Sequence, residues 1–218
     1  MTRRAAFFDM DRTLVRKDTS ALYTRYRRDL GEATMKDALQ VGWWALQYTL
    51  GVIDAPRVAA QALANFRGKE EQWLVDQCQG WFKDYVLPHV QQKGREAVAR
   101  HRAQGDFVAI VTGATRYAAE PVARELGIET VVCTALEVDA AGCFTGAAIE
   151  PLCYGAGKLE LARRAAEREG VTFADATFYS DSITDLPLLE AVGTPIVVNP
   201  DTRLRRAALK RGWKVERW

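Results

Sequence analysis

Short apolar runs that end in an acid or a hydroxyl residue, separated by stretches of helical spacing, constrain this chain more than any other feature. The first run lies over residues 4–9 and ends in acid at Asp9. The second, at 107–111, ends at Thr112 and Gly113, and a third, at 176–180, ends at Asp181. Runs this short and this continuous suit strands buried on both faces, as in a parallel sheet. Between them the spacing is helical at 91–104, 116–126, 157–169, 184–191 and 201–211. Gly105 and Gly127 stop the first two helices. Further strands are expected at 130–133 and 195–198, and a hairpin over 136–146 turning near Gly142. Strand alternating with helix predicts an α/β fold: a Rossmann-like parallel sheet with helices on both faces.

One stretch breaks the alternation. Residues 19–87 are rich in Ala, Leu, Gln, Arg and Trp, with breaks at Gly31, at 51–56 and at Gly68. Four helices fit there, at 19–30, 33–50, 55–66 and 69–86, and Pro88 closes the block. The expected organisation is therefore an α/β core formed by 1–15 and 89–218, with a helical cap over 16–88 inserted after the first strand.

Composition removes several classes of function. Lys plus Arg number 30 and Asp plus Glu 28, a net charge of +2 that gives nucleic acid no reason to bind. The four cysteines (Cys78, Cys133, Cys143, Cys153) form no CxxC, and the only histidines are His89 and His101, so zinc chemistry is disfavoured. With no apolar run at the start that suits a signal peptide, a cytoplasmic chain with reduced thiols is expected. Residues 38–53 carry no charge and include Trp43, Trp44, Leu46, Tyr48 and Leu50. That is shorter than the ~20 residues of a spanning helix, so a buried helix is expected rather than membrane insertion. Trp43, Trp44, Trp73 and Trp81 are likewise expected as interior residues of the cap.

In α/β sheets ligands bind beyond the carboxyl ends of the strands. The residues placed there are Asp9-Met10-Asp11-Arg12-Thr13, then Thr112-Gly113, then Asp181-Ser182-Ile183-Thr184-Asp185, with Lys158 opening a helix behind Gly155 and Gly157. Each piece alone is weak, since an Asp after a strand is commonly a turn former or helix cap. Gathered at one rim, the carboxylates repel unless a proton or cation compensates. An all-oxygen set suits a hard cation, and Mg²⁺ is the usual one where phosphate is also bound. Lys158 and the Thr112 hydroxyl offer the charge and the donor that a phosphate needs.

These four motifs, in this order, resemble the haloacid dehalogenase-like superfamily of phosphohydrolases, in particular its phosphoserine-phosphatase-like branch, in which a helical cap follows the first motif. The resemblance covers essentially the whole chain. Arg12 is a departure, because small or neutral residues are usual there. The resemblance implies a phosphatase for a small phosphorylated metabolite, working through an aspartyl-phosphate. Asp9 would be the nucleophile and Asp11 the general acid and base. Mg²⁺ would be held by the Asp9 carboxylate, the Asp11 carbonyl and the Asp181 carboxylate. Thr112, Gly113 and Lys158 would hold the phosphoryl group. Asp185 would orient Lys158 or water, and Ser182 would help hold its loop. Asp18 either caps the helix beginning near Thr19 or meets a substrate ammonium group. The cap would close on hinges at 15–18 and 87–90, and one of its arginines (Arg25, Arg27, Arg28, Arg57, Arg67) could meet a substrate carboxylate. A phosphotransferase and a non-catalytic phospho-ligand binder remain open alternatives, as do monomer and homodimer.

Overall fold

The computed structural model describes residues 3–36, 39–40, 42–43 and 55–218. A seven-stranded sheet in the order β4-β3-β2-β1-β5-β6-β7 crosses the molecule. Its strands are β1 (Ala5–Phe8), β2 (Phe107–Thr115), β3 (Thr130–Val138), β4 (Phe144–Ile149), β5 (Ala176–Ser180), β6 (Thr194–Val198) and β7 (Lys214–Glu216). Every pairing is parallel except β3 with β4, the expected hairpin. From β1 the chain builds outward first to β2 and β3, and later to β5 on the other side. The carboxyl end of β1 therefore lies at the switch point where a crevice opens.

Successive side chains of a strand point to opposite faces, and β1 shows what that does here. Ala6 and Phe8 enter one apolar cluster, Ala5 and Phe7 another, and all four are buried. The first cluster is closed by α4 (Gln92–Ala103) and α5 (Arg116–Leu126) through Ala97, Val98, Val122 and Leu126. The second is closed by α6 (Ala156–Arg168), α7 (Leu186–Ala191) and α8 (Thr202–Arg211) through Ala162, Ala166, Leu188, Leu189 and Leu204. Full burial of one such Phe contributes about 2–3 kcal/mol, so β1 is fixed from both sides before its last residue emerges at the rim.

Residues between β1 and α4 form α1 (Thr19–Asp29), α2 (Ala55–Ala64) and α3 (Glu71–Trp81). The expected helix over 69–86 is α-helical only to Trp81. One wider π turn follows at Phe82–Val86, then a 3₁₀ turn at Leu87–His89. Pro88 contributes to the change, since it lacks the N–H that would continue the α ladder and its ring crowds the carbonyl one turn back. The expected helix over 33–50 lies largely outside the described residues. Its described members are helical at 35–36, 39–40 and 42–43. Leu39 and Trp43 are 70% and 58% exposed, which corrects the expectation that they are interior. They stand four residues apart, on one helix face, and that face looks to solvent. Trp44 lies outside the described residues, Trp81 is fully buried, and Trp73 is half-buried against Phe66.

The two chain crossings into this insert run side by side. Arg16 N donates to His89 O at 2.8 Å and Gln91 N to Leu14 O at 2.8 Å. The insert is fastened a second time at its far end. Gly68 N donates to Phe144 O (2.8 Å), Phe144 N to Lys69 O (2.9 Å), and Glu71 N to Gly142 O (2.9 Å). The Glu71 carboxylate accepts from both Arg116 and Tyr117 at the start of α5.

Candidate active site

Asp9 follows directly on β1, and its N–H donates to the Tyr179 carbonyl of β5 at 2.9 Å. Its carboxylate meets Lys158, whose Nζ lies 2.7 Å from Asp9 Oδ1 and 2.8 Å from Asp185 Oδ2. Ser180 Oγ donates to the same Asp185 oxygen at 2.7 Å and accepts from Ser182 N at 3.2 Å. Asp9, Lys158, Asp181, Ser182 and Asp185 are all buried. Residues from the ends of two strands and from two helix starts thus converge in one small volume.

The local reasons are specific. Lys158 sits in the first turn of α6, an electrostatically poor place for a cation, and is held there by two carboxylates. It reaches them because the turn before α6 packs tightly on the helix. A Cβ on Gly157 would stand 2.2 Å from Leu152 O, so only glycine fits. Gly155, with φ 54°, makes the preceding bend. Ser182 caps the 3₁₀ turn at Ile183–Asp185 by accepting from Thr184 N, and Asp185 at the end of that turn reaches Lys158 and Ser180.

Thr112 and Gly113 lie where β2 slips register against β3, between Thr112 and Thr115. Such a bulge turns main-chain groups away from the ladder. Thr112 is buried and its Oγ1 accepts from Ala114 N at 3.2 Å. The Gly113 carbonyl accepts from Thr134 Oγ1 at 3.0 Å. The Thr-Gly pair was visible in the sequence, but the bulge was not.

Asp11 Oδ1 accepts from Thr19 N at 2.7 Å. Asp18 caps α1: its Oδ1 accepts from Ser20 N (3.0 Å), Ser20 Oγ (2.5 Å) and Ala21 N (3.2 Å). Asp18 is thus the N-cap of α1, through Oδ1 alone. Of the candidate arginines, Arg25 pairs with Asp29, Arg27 with Glu32 and Arg28 with the Met35 sulfur, Arg67 packs beside Gly146 of β4, and the Arg57 side chain lies outside the described residues. Arg12 takes a left-handed backbone, φ 57°, that side chains rarely adopt. Ser180, which binds Asp185, went unnoticed in the sequence. Its signal is the Ser-Asp-Ser alternation, which puts it two residues from Ser182.

Electrostatics follow from crowding. Loss of water raises Asp9 to about 6, with Lys158 opposing and Asp185 adding. Loss of water, then the charges of Asp18 and Asp9, raises Asp11 to about 8. Asp181 stands well above the ordinary carboxylate range through burial and the charges of Asp9 and Asp185, against the pull of Arg12 and Lys158. A rim that drives its own acids toward protonation has room for a further positive charge. Among the described residues no three side chains of His, Cys, Asp or Glu converge to hold a metal. The oxygens that remain are the Asp9 and Asp181 carboxylates and the main chain of the loop after Asp9. That set fits a hard divalent cation completed by water.

Comparison with known proteins agrees with this geometry. Residues 6–190 match the haloacid dehalogenase-like hydrolase family. A phosphoserine phosphatase of Mycobacterium tuberculosis is 33% identical over 97% of this chain and 70% of its own length. A histidinol-phosphatase of Neisseria meningitidis is 28% identical over 98% of each. A solved phospho-aspartyl intermediate analogue of phosphoserine phosphatase shares the fold, with a TM-score of 0.73 at 18% identity over 99% of this chain and 93% of that one. The rim of carboxylates around one lysine, and the match over most of the sequence, place the chain in the haloacid dehalogenase-like hydrolase family, among its phosphatases.

Proposed function

We propose that the protein hydrolyses a small phosphomonoester in two steps, through a phosphoryl group carried on Asp9. The observation that carries this reading is the contact of Asp9 and Asp185 with one buried lysine, with Asp11 two residues on. An Asp9 carboxylate oxygen attacks phosphorus, and the bond from phosphorus to the substrate oxygen breaks. Asp11, raised to about 8, still holds its proton at neutral pH and gives it to the departing alkoxide. Asp11 then takes a proton from the water that cleaves the acyl phosphate, which restores Asp9. Lys158 and the main-chain N–H of Gly113 stabilise charge on the phosphoryl oxygens, with the Thr112 hydroxyl beside them. Asp185 and Ser180 keep Lys158 aimed at Asp9.

Asp9, Asp181 and the Asp11 carbonyl would hold Mg²⁺, which when bound reduces the repulsion between an anionic nucleophile and an anionic substrate. Residues 16–88 serve as a cap that keeps bulk water from the acyl phosphate. The relatives named for phosphoserine and histidinol phosphate support a small amino-alcohol phosphate as substrate. The four cysteines are free, in keeping with a reducing cytoplasm, and no described helix is long and apolar enough to cross a membrane.

The experiment is phosphate release from a panel of small phosphomonoesters, with Mg²⁺ or EDTA, for wild type and Asp9→Asn. Turnover that requires both Mg²⁺ and Asp9 is expected, with a loss of at least ~10⁴-fold in the variant. A folded protein that releases phosphate from no member of the panel overturns the reading. Phosphoryl transfer to an added alcohol in place of release would convert it to a transferase.

A further inference from the structure

Outside the rim, the most ordered polar cluster lies behind it. His101, on α4, places Nδ1 2.7 Å from Asp106 Oδ2 and Nε2 2.9 Å from the Tyr179 hydroxyl. All three residues are buried. Arg4 Nε holds the other Asp106 oxygen at 3.0 Å. One ring nitrogen thus bonds the Asp106 carboxylate and the other the Tyr179 hydroxyl, so the imidazole bridges the two. Nothing in the proposed chemistry uses this chain of groups.

Its far end, however, touches the rim at three points. Tyr179 stacks on Phe8, with centroids 4.5 Å apart and planes within 4°. Phe8 immediately precedes Asp9. The Tyr179 carbonyl accepts the Asp9 N–H at 2.9 Å. Asp181 follows two residues later. The side chain of one residue is thus anchored while its main chain and its ring hold the two strand ends that carry Asp9 and Asp181.

We propose that Asp106, His101 and Tyr179 are positioning residues that set the separation of the Asp9 and Asp181 carboxylates, and with it the affinity of the rim for a divalent cation. The inference rests on the phosphatase reading for the identity of that cation. Partners that orient metal ligands from behind are commonly worth 10-fold or more in affinity, and a tyrosine fixed by an ionic hydrogen-bond chain holds one rotamer.

The test uses the full chain and Mg²⁺ alone as probe. Thermal unfolding is followed against Mg²⁺ concentration for wild type, Tyr179→Phe, and Leu204→Ala, a core truncation on the opposite face of the sheet. Tyr179→Phe keeps the ring on Phe8 and removes only the hydroxyl. The Mg²⁺ midpoint is expected to rise ~10-fold in Tyr179→Phe, and to stay at the wild-type value in Leu204→Ala although that variant unfolds at lower temperature. The midpoint for Mg²⁺-dependent phosphate release should move with it while kcat at saturating Mg²⁺ is largely kept. His101→Gln, which can still bond Tyr179, should recover more of the affinity than His101→Leu. Equal midpoints in wild type and Tyr179→Phe, or equal shifts in Tyr179→Phe and Leu204→Ala, overturn the proposal. A wild-type protein that Mg²⁺ does not stabilise overturns the metal reading itself, before any variant is compared.

Discussion

The rim and the helical insert are built to different standards. At the rim, Asp9, Lys158, Asp185 and Ser180 form one chain of bonds of 2.7 to 2.8 Å, with every link buried. In the insert, Tyr23 Oη, Gln77 Oε1 and Trp81 Nε1 are buried without a hydrogen-bond partner among the described residues. Leu30, Met35, Leu39 and Trp43 are exposed there. Its charged tie to the core, Glu71 with Arg116 and Tyr117, is partly open to water. The rim is fixed by strands packed on both faces and chiefly needs charge to complete it, although in the loop after Asp9 the buried Thr13 Oγ1 too has no partner among the described residues. The insert holds polar groups in reserve and rests on contacts that water screens. Chemistry common to a family belongs in the first kind of region. Selection among substrates belongs in the second, where a changed side chain costs little.

The largest effect should come from breaking the rim. Lys158→Met leaves Asp9 and Asp185 buried without their counter-charge, a change that typically costs 3–5 kcal/mol. Thermal unfolding at pH 7 should show a loss of about 3 kcal/mol, with phosphate release falling below detection. Near pH 5 the loss should shrink, as the stranded Asp9 takes up a proton. A variant as stable as wild type at pH 7 would mean that the rim is not held together by charge.

Removing the cation tests the same region from the other side. Asp9 is raised to about 6 and Asp11 to about 8. Carboxylates raised above their unfolded values make the folded chain bind more protons, so stability grows as pH falls through that window. In EDTA the unfolding free energy should therefore rise between pH 8 and pH 6, by on the order of 2 kcal/mol. Saturating Mg²⁺ should reduce the slope, because a bound cation keeps Asp9 ionised, while Asp11, which would lend it only a carbonyl, still titrates. Asp11→Asn should reduce it in EDTA as well. A slope of the opposite sign in EDTA would remove the crowding of acids as the source of the rim's demand for charge.

How far the sequence could be read follows the same division. Doubly buried strands announce themselves as short apolar-rich stretches, so the strands at 4–9, 107–111 and 176–180 were legible, and the polar residues that follow them (Asp9, Thr112, Asp181) came with them. Lys158 was legible because two glycines before a helix start leave few other uses for a cation there. Ser180 was not, because the last residue of a buried strand and a ligand to Asp185 look alike in one dimension. The bulge at Thr112 and the three-residue β7 leave no periodic trace. Glu71 meets Tyr117 across 46 positions, a pairing that no local pattern encodes. The run at 38–53 read as apolar, but apolarity does not say which side of a helix is covered, and Leu39 and Trp43 face water.

The tie between insert and core should respond in a smaller way. Glu71→Gln weakens the bonds to Arg116 and Tyr117 at a site partly in water, where such pairs are worth about 1 kcal/mol or less. Stability should drop by that amount at most, while amide exchange at 68–71 and 142–144 quickens relative to β1 and β5. If those amides keep their wild-type protection, the main-chain bonds from Gly68 and Glu71 to the hairpin suffice, and the carboxylate adds nothing to the joint.

The smallest effect has the opposite sign and goes to the heart of the contrast. The Tyr23 ring packs edge-on against Trp81 with centroids 5.6 Å apart, and its hydroxyl is buried without a partner. An unpaired buried hydroxyl costs folding about 1 kcal/mol or more, and replacing it by hydrogen removes that cost without opening a cavity. Tyr23→Phe should therefore raise stability by about 0.5–1 kcal/mol in thermal unfolding, whereas a Phe at Tyr179, whose hydroxyl is bonded, should lower it. Stability given up at one hydroxyl is the mark of a group kept for a ligand, so the same Tyr23→Phe protein should raise KM for the best substrate in the panel with kcat little changed. A gain in stability with KM unmoved would make Tyr23 a packing residue and shift the search for specificity to Gln77 and Trp81 on α3, which among the described residues of the insert are also buried without a partner.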